Sequence, residues 1–350
     1  MNKQTSTRPL IWIDLIRITG ALLVILVHVT YPLVQKWGEV TLKWWLAANL
    51  ANQIGHLAVP LFFMVSGFLL VRKPEPVRQF LIKRGTRILI PLAAWSVIYI
   101  GWNMYFNHRE TTLASAALAL LTGSSADHLW FLYDLFGLTL AVPLLWKLRE
   151  AGGNRTLLYL LLLWLIFEPL TQLSTLLGVT PAFTLPLASG YLGYFILGLF
   201  LGERQYPRWQ VFLALGICLA TTGLGAAGNY WQSRAAGSLT APFLYYIGIV
   251  TVPASAGAFV LLKTLGERLE RGPAWLAALI HQLGTGSFGV YLIHLIILEA
   301  FKQSLFGFKL TATSLHPFYA IPLTTLAVFT VSMTTILILQ KIPLLNKIIP

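Results

Sequence analysis

Charge is scarce in this chain: Asp, Glu, Lys and Arg make up 11% of its 350 residues. A soluble domain carries about 25%, so a globular protein surrounded by water is excluded. Acids are the rarest, twelve against 25 Lys and Arg. The one cysteine, Cys218, allows no internal disulfide. Long hydrophilic stretches are also missing; 107–127 and 229–240 are too short for a folded domain outside a membrane. No internal repeat is visible, which weakens an inverted-repeat transporter. Zinc-finger spacing, an RNP-like signature and a phosphate-cradling Gly-rich loop are absent too. The net charge of +13 therefore does not argue for a nucleic-acid partner, and none is expected.

What is abundant is apolar sequence, 57% of the chain. Runs near the ~20 residues that span a bilayer fall at 10–34, 46–71, 87–106, 128–146, 156–178, 188–202, 209–228, 241–262, 282–305 and 318–340. The reading is an all-α polytopic membrane protein of about ten transmembrane helices. It forms a single membrane domain, 10–340, with short tails at 1–9 and 341–350. With the N-terminus inside, the cytoplasmic segments hold eighteen Lys and Arg, while the outer ones hold only Lys36, Lys43, Arg109, Arg234, Lys302 and Lys309. That imbalance places both termini in the cytoplasm and explains the net charge as topology. No cleavable signal peptide is expected, because "LIWIDLIR" puts Asp14 and Arg17 where an unbroken apolar core belongs. Segment 111–121 reads as a short helix on the outer surface.

The first run, "WIDLIRITGALLVILVHVTYP", carries three ionisable residues. Asp14, Arg17, Ala21, Val24 and His28 follow the i+3, i+4 rhythm of one helical stripe. Arg17 and His28 share that face but stand about 16 Å apart along the axis, too far to touch. Such a stripe belongs against protein or a wet cavity, since lipid penalises it. Asp14 can pair with Arg17 at i+3. Gly20 and Ala21 leave room for close approach to the backbone. Arginine suits an anionic ligand, and histidine suits proton removal from a hydroxyl near neutral pH. The plain alternative is an ion pair and a hydrogen-bonded histidine that merely fix helix packing.

At these residues the chain resembles the membrane-bound acyltransferase 3 family. Arg17 and His28, ten residues between them, match its first-helix signature. "VPLFFMVSGFLL" (59–70), with Ser66 and Gly67, is similar to its second-helix motif, and "FLIKRGTRILIP" (80–91), with Arg84, Arg87 and Pro91, to the basic start of its third helix. "HLWFLYDLFG" (128–137) and "GTGSFGVYLIHLII" (284–297) resemble its His-x-Trp and Ser…Tyr…His segments. The resemblance covers residues 10 to about 340. It implies transfer of an acyl group, usually acetyl, from cytoplasmic acetyl-CoA as co-substrate to a hydroxyl of an extracytoplasmic glycan or lipid-linked saccharide. The setting implied is the bacterial inner membrane, with membrane lipids as neighbours. A transporter or flippase for a lipid-linked glycan is the alternative.

The site residues follow. Catalytic candidates are His28, Arg17, Asp14, His128 and His294, with His128 read as an outer-facing imidazole. Cofactor-binding candidates are Arg84, Arg87, Ser66 and Tyr291. Each has a plainer reading: Arg84 and Arg87 as positive-inside residues on headgroups, Ser66 and Gly67 as close helix packing, Trp130 as an interfacial anchor. Ser287, Tyr291 and His294 share one face at i, i+4 and i+7. Asp134 ranks lower, as an intramembrane acid outside the motifs. Glu168 and Glu299 read as structural. His56, His108, His281 and His316 have no supporting pattern, and no metal is expected. Arg17 and His28 are expected to look into one continuous polar channel.

Overall fold

The computed structural model describes residues 10–179, 190–343 and 345–349. Among them the elements are α1 (Ile11–Val34), α2 (Leu42–Gly55), α3 (Ala58–Val71), α4 (Val77–Phe106), α5 (Leu113–Thr122), α6 (Trp130–Leu176), α7 (Leu192–Glu203), α8 (Arg208–Ala236), α9 (Thr251–Leu269), α10 (Ala274–Lys302) and α11 (Pro317–Leu339), with a 3-10 turn at Leu345–Lys347. No strand occurs among the described residues. Seven segments are long and apolar enough to cross a membrane, α2 and α3 counting as one. The chain is an all-α polytopic membrane protein.

The ten apolar runs map onto these elements with instructive differences. The 47 residues of α6 would extend about 70 Å as one rod, over twice the hydrocarbon thickness. Gly153 breaks it at φ 65°, ψ −159°, a conformation that suits glycine, and so separates the runs at 128–146 and 156–178. The run 46–71 is not one helix. Pro60, in the first turn of α3, has no N–H for the His56 carbonyl, and the chain turns at His56–Leu57. Likewise 241–262 becomes helical only at Thr251, after an irregular stretch tied by the Thr251 hydroxyl to the Tyr245 carbonyl at 2.7 Å. The run 188–202 begins outside the described residues and continues as α7. Helices α4 and α10 start ten and eight residues before their apolar runs; in α4 the early turns carry Arg78, Gln79, Lys83 and Arg84 and so give little hydropathy signal. Segment 111–121 is helical as α5, with no buried side chain.

Helix α1 is the hub, packed against α2, α3, α9, α10 and α11. Two glycines set the distances that matter. A Cβ on Gly67 of α3 would fall 2.2 Å from the Phe195 carbonyl of α7, so these two backbones touch. A Cβ on Gly284 of α10 would fall 2.4 Å from Asp14 Cβ, so the space is filled by the Asp14 side chain. The polar stripe of α1 therefore faces α10, not lipid.

Candidate functional site

The stripe on α1 has two ends with different surroundings. Around Arg17, helices α1, α3, α4, α6 and α10 enclose a cavity of about 440 Å³. Arg17, Ser66, Arg84, Arg87, Thr139, Thr285 and Ser287 supply its polar lining, and Phe62, Phe131 and Phe288 part of its apolar wall. Arg17 stands 3.6 Å from Asp14, whose side chain is 6% exposed. His281 Nδ1 approaches the other Asp14 oxygen at 2.7 Å. Arg84 lies 3.6 Å from Glu75, and its buried Nε has no partner. Arg87 is exposed and makes no ion pair among the described residues. Three guanidiniums, one wholly unpaired, converge on a space with apolar walls. That donor set suits an anionic ligand with an apolar part.

Three histidines meet at the other end. The rings of His28 and His294 are 5.2 Å apart, those of His128 and His294 4.9 Å, and those of His28 and His128 6.4 Å, centroid to centroid. His294 Nδ1 meets the Tyr291 carbonyl at 2.6 Å. Its Nε2 and both nitrogens of His128 are buried without partners, and His28 forms no hydrogen bond among the described residues. Buried polar groups are normally satisfied, so this cluster of idle donors and acceptors is a place built for something else to complete. Among the described residues no group of three or more His, Cys, Asp or Glu is arranged to hold a metal ion. His128 is not outer-facing: it is 3% exposed, enclosed by Tyr99, Tyr291 and the two other imidazoles.

Among the described residues, the cavity at Arg17 and the histidine cluster share no lining side chain. No histidine lines the Arg17 cavity. Phe131 stacks toward Phe62 on one side at 5.9 Å and Tyr291 on the other at 5.5 Å, and Tyr291 in turn contacts His128. Phe62 itself lies over Gly20, where a Cβ would come within 2.8 Å of its ring. The small residues on α1 thus admit an aromatic plug. Tyr291 also stands outside the cavity and donates its hydroxyl to the His128 carbonyl, so it holds the histidine cluster and does not line the space around Arg17. Ser287, one turn earlier, does line it.

Other residues fall elsewhere. Asp134 is half-buried, does not line the Arg17 cavity, and makes no hydrogen bond or ion pair among the described residues. Trp130 joins an aromatic group with Tyr191 and Tyr246. Glu168 accepts from the Gly190 N–H at 2.6 Å, and Glu299 from Trp102 Nε1 at 2.5 Å, both structural contacts. His56 stacks on Tyr246, His316 caps α11, and His108 is exposed. His281 was the residue missed. It stands one position before the apolar run at 282–305, although α10 itself begins at Ala274 and its first two turns are apolar.

Comparison with known families agrees with this geometry. The acyltransferase 3 family model, described as an acyltransferase domain, matches residues 10–339. No curated protein and no solved structure matches the chain.

Proposed function

The chain belongs to that family of membrane acyltransferases, and from this premise we propose that it is an O-acetyltransferase, taking acetyl from cytoplasmic acetyl-CoA to a hydroxyl of an extracytoplasmic or lipid-linked glycan. One observation carries the reading: a single helix presents Arg17 to a basic cavity at one end and His28 to the buried His128 and His294, which hold three unpartnered ring nitrogens, at the other. Anion capture and proton transfer are thereby separated by about half a bilayer. This is the arrangement needed when donor and acceptor approach from opposite faces.

In this reading Arg84 and Arg87 hold the phosphates of acetyl-CoA at the inner face, and Ser66 and Ser287 offer hydroxyls along its arm. Arg17, fixed by Asp14, orients the part lying deepest. His28 takes the proton from the acceptor hydroxyl as the oxygen bonds to the acetyl carbon and coenzyme A leaves as its thiol. A two-step route, with acetyl first carried on a histidine nitrogen, uses the same groups. The neighbouring His128 and His294 supply further proton-accepting nitrogens. Movement of Phe131 and Phe62 joins the two regions. The stretches "VPLFFMVSG" and "HLWF" resemble those of the enterobacterial common antigen O-acetyltransferase, which supports a cell-surface polysaccharide acceptor in a bacterial inner membrane.

The test is to incubate membranes containing the protein with radiolabelled acetyl-CoA. Free coenzyme A and label on extracted glycan are the expected products, both lost in His28→Ala. Glycan crossing the membrane unmodified, with acetyl-CoA untouched, would instead establish the transporter reading.

A further inference from the structure

Three of the six outward-end basic residues meet in one place. Lys36, at the end of α1, Lys302, at the end of α10, and Lys309 line a second cavity of about 270 Å³ together with Thr311 and Thr313. None of the three ammonium groups has an ion pair or hydrogen bond among the described residues. The acid nearest Lys302 along its helix, Glu299, is held by Trp102 and Asn107 and offsets part of the Lys302 charge without reaching ion-pair distance. Outer segments of membrane proteins are poor in lysine, and three like charges around one hollow repel each other. The hollow calls for an anion.

Its position says which molecule carries that anion. The floor includes Val29, next to His28, and Leu298, one turn beyond His294. Lys36 lies eight residues after His28 and Lys302 eight after His294, so both ammoniums are rooted about 12 Å outward of the imidazole pair. Lys302 is within electrostatic reach of His28. A molecule held here by its anionic group can lay its remainder over the histidines. Compact lysine ammoniums serve phosphate as point charges, and threonine hydroxyls add donors.

We propose that this cavity binds a phosphate or diphosphate group of the acceptor, which makes the acceptor a phosphate-linked saccharide. This rests on the O-acetyltransferase reading above. A phospholipid headgroup offers the same chemistry, and the test separates the two.

The purified protein in a neutral detergent is titrated with radiolabelled geranylgeranyl diphosphate. The wild type is expected to bind it, with displacement by inorganic pyrophosphate and not by geranylgeraniol. The Lys302→Gln/Lys309→Gln variant should bind about tenfold more weakly or worse, while Lys302→Arg/Lys309→Arg keeps most of the affinity. Lys36 is exposed, so Lys36→Gln gives a weakening free of any folding defect. Equal affinity in the Gln variants, or displacement by geranylgeraniol as effective as by pyrophosphate, overturns the proposal. Displacement by an equal concentration of phosphatidylglycerol overturns it in favour of a headgroup site. Acetyl-CoA binding is read on the same wild-type preparation. Probe binding without acetyl-CoA binding upholds the phosphate site and removes the transfer reading; the reverse removes the phosphate site alone.

Discussion

His281 Nδ1 on α10 lies 2.7 Å from the Asp14 carboxylate on α1. The same carboxylate faces Arg17 at 3.6 Å, so a residue from the far end of the chain fixes the acid that fixes the arginine. A hydrogen bond to a charged group contributes about 1.5–3 kcal/mol, less here because the His281 side chain is 46% exposed. His281→Ala should raise the KM for acetyl-CoA by about fivefold and leave kcat nearly unchanged, with His281→Asn intermediate. Steady-state kinetics decide it; an unchanged KM would show that Arg17 is held without His281.

His28 is the candidate base. His28→Ala is expected to lower kcat by about 10²–10⁴ while acetyl-CoA affinity stays near wild type, since Arg17 and the cavity lie elsewhere. Equilibrium binding and turnover measured side by side test this, and a loss confined to KM would be the wrong sign of effect.

Arg84 shares its charge with Glu75 at 3.6 Å, whereas Arg87 is unpaired. Arg87→Gln should therefore raise the KM for acetyl-CoA more than Arg84→Gln does, and removing Glu75 by Glu75→Gln should lower it. Equal effects from both arginines would assign them to headgroup contact and topology.

Phe131 lines the cavity and packs against Tyr291, which in turn contacts His128. Phe131→Leu trims the plug, and acetyl-CoA hydrolysis in the absence of any acceptor should rise as water and thioester gain access to each other. Release of coenzyme A, followed with a thiol reagent, measures it; a rate equal to wild type would place the passage somewhere else.

Gly67 touches the Phe195 backbone, where a Cβ would lie 2.2 Å from the carbonyl oxygen. Gly67→Val should cost about 1–3 kcal/mol through overpacking and lower the unfolding midpoint in detergent. Gly137→Ala, in α6 with open space around the position, should leave that midpoint unchanged or raise it.

Residue chemistry along one helix was readable before any coordinates. Asp14, Arg17 and His28 on a single stripe, the basic start of α4, and Ser287 with His294 on one face of α10 all follow from the 3.6-residue period and the cost of burying charge. The all-helical membrane class follows from apolar length, because lipid leaves the backbone no partner but itself. Helix starts and the His56 break were less legible, since hydropathy marks hydrocarbon contact and not hydrogen bonding.

Contacts between distant segments were decided by the fold alone. That His128 turns inward to join His28 and His294, that His281 reaches Asp14, that Phe131 lies between the cavity and Tyr291, and that Lys36, Lys302 and Lys309 share one hollow all depend on how α1 packs against α10 and its neighbours. Periodicity says which face of a helix is polar. It is silent on which other helix that face will meet, because that choice is made by glycine-sized gaps and ring packing between segments remote in sequence.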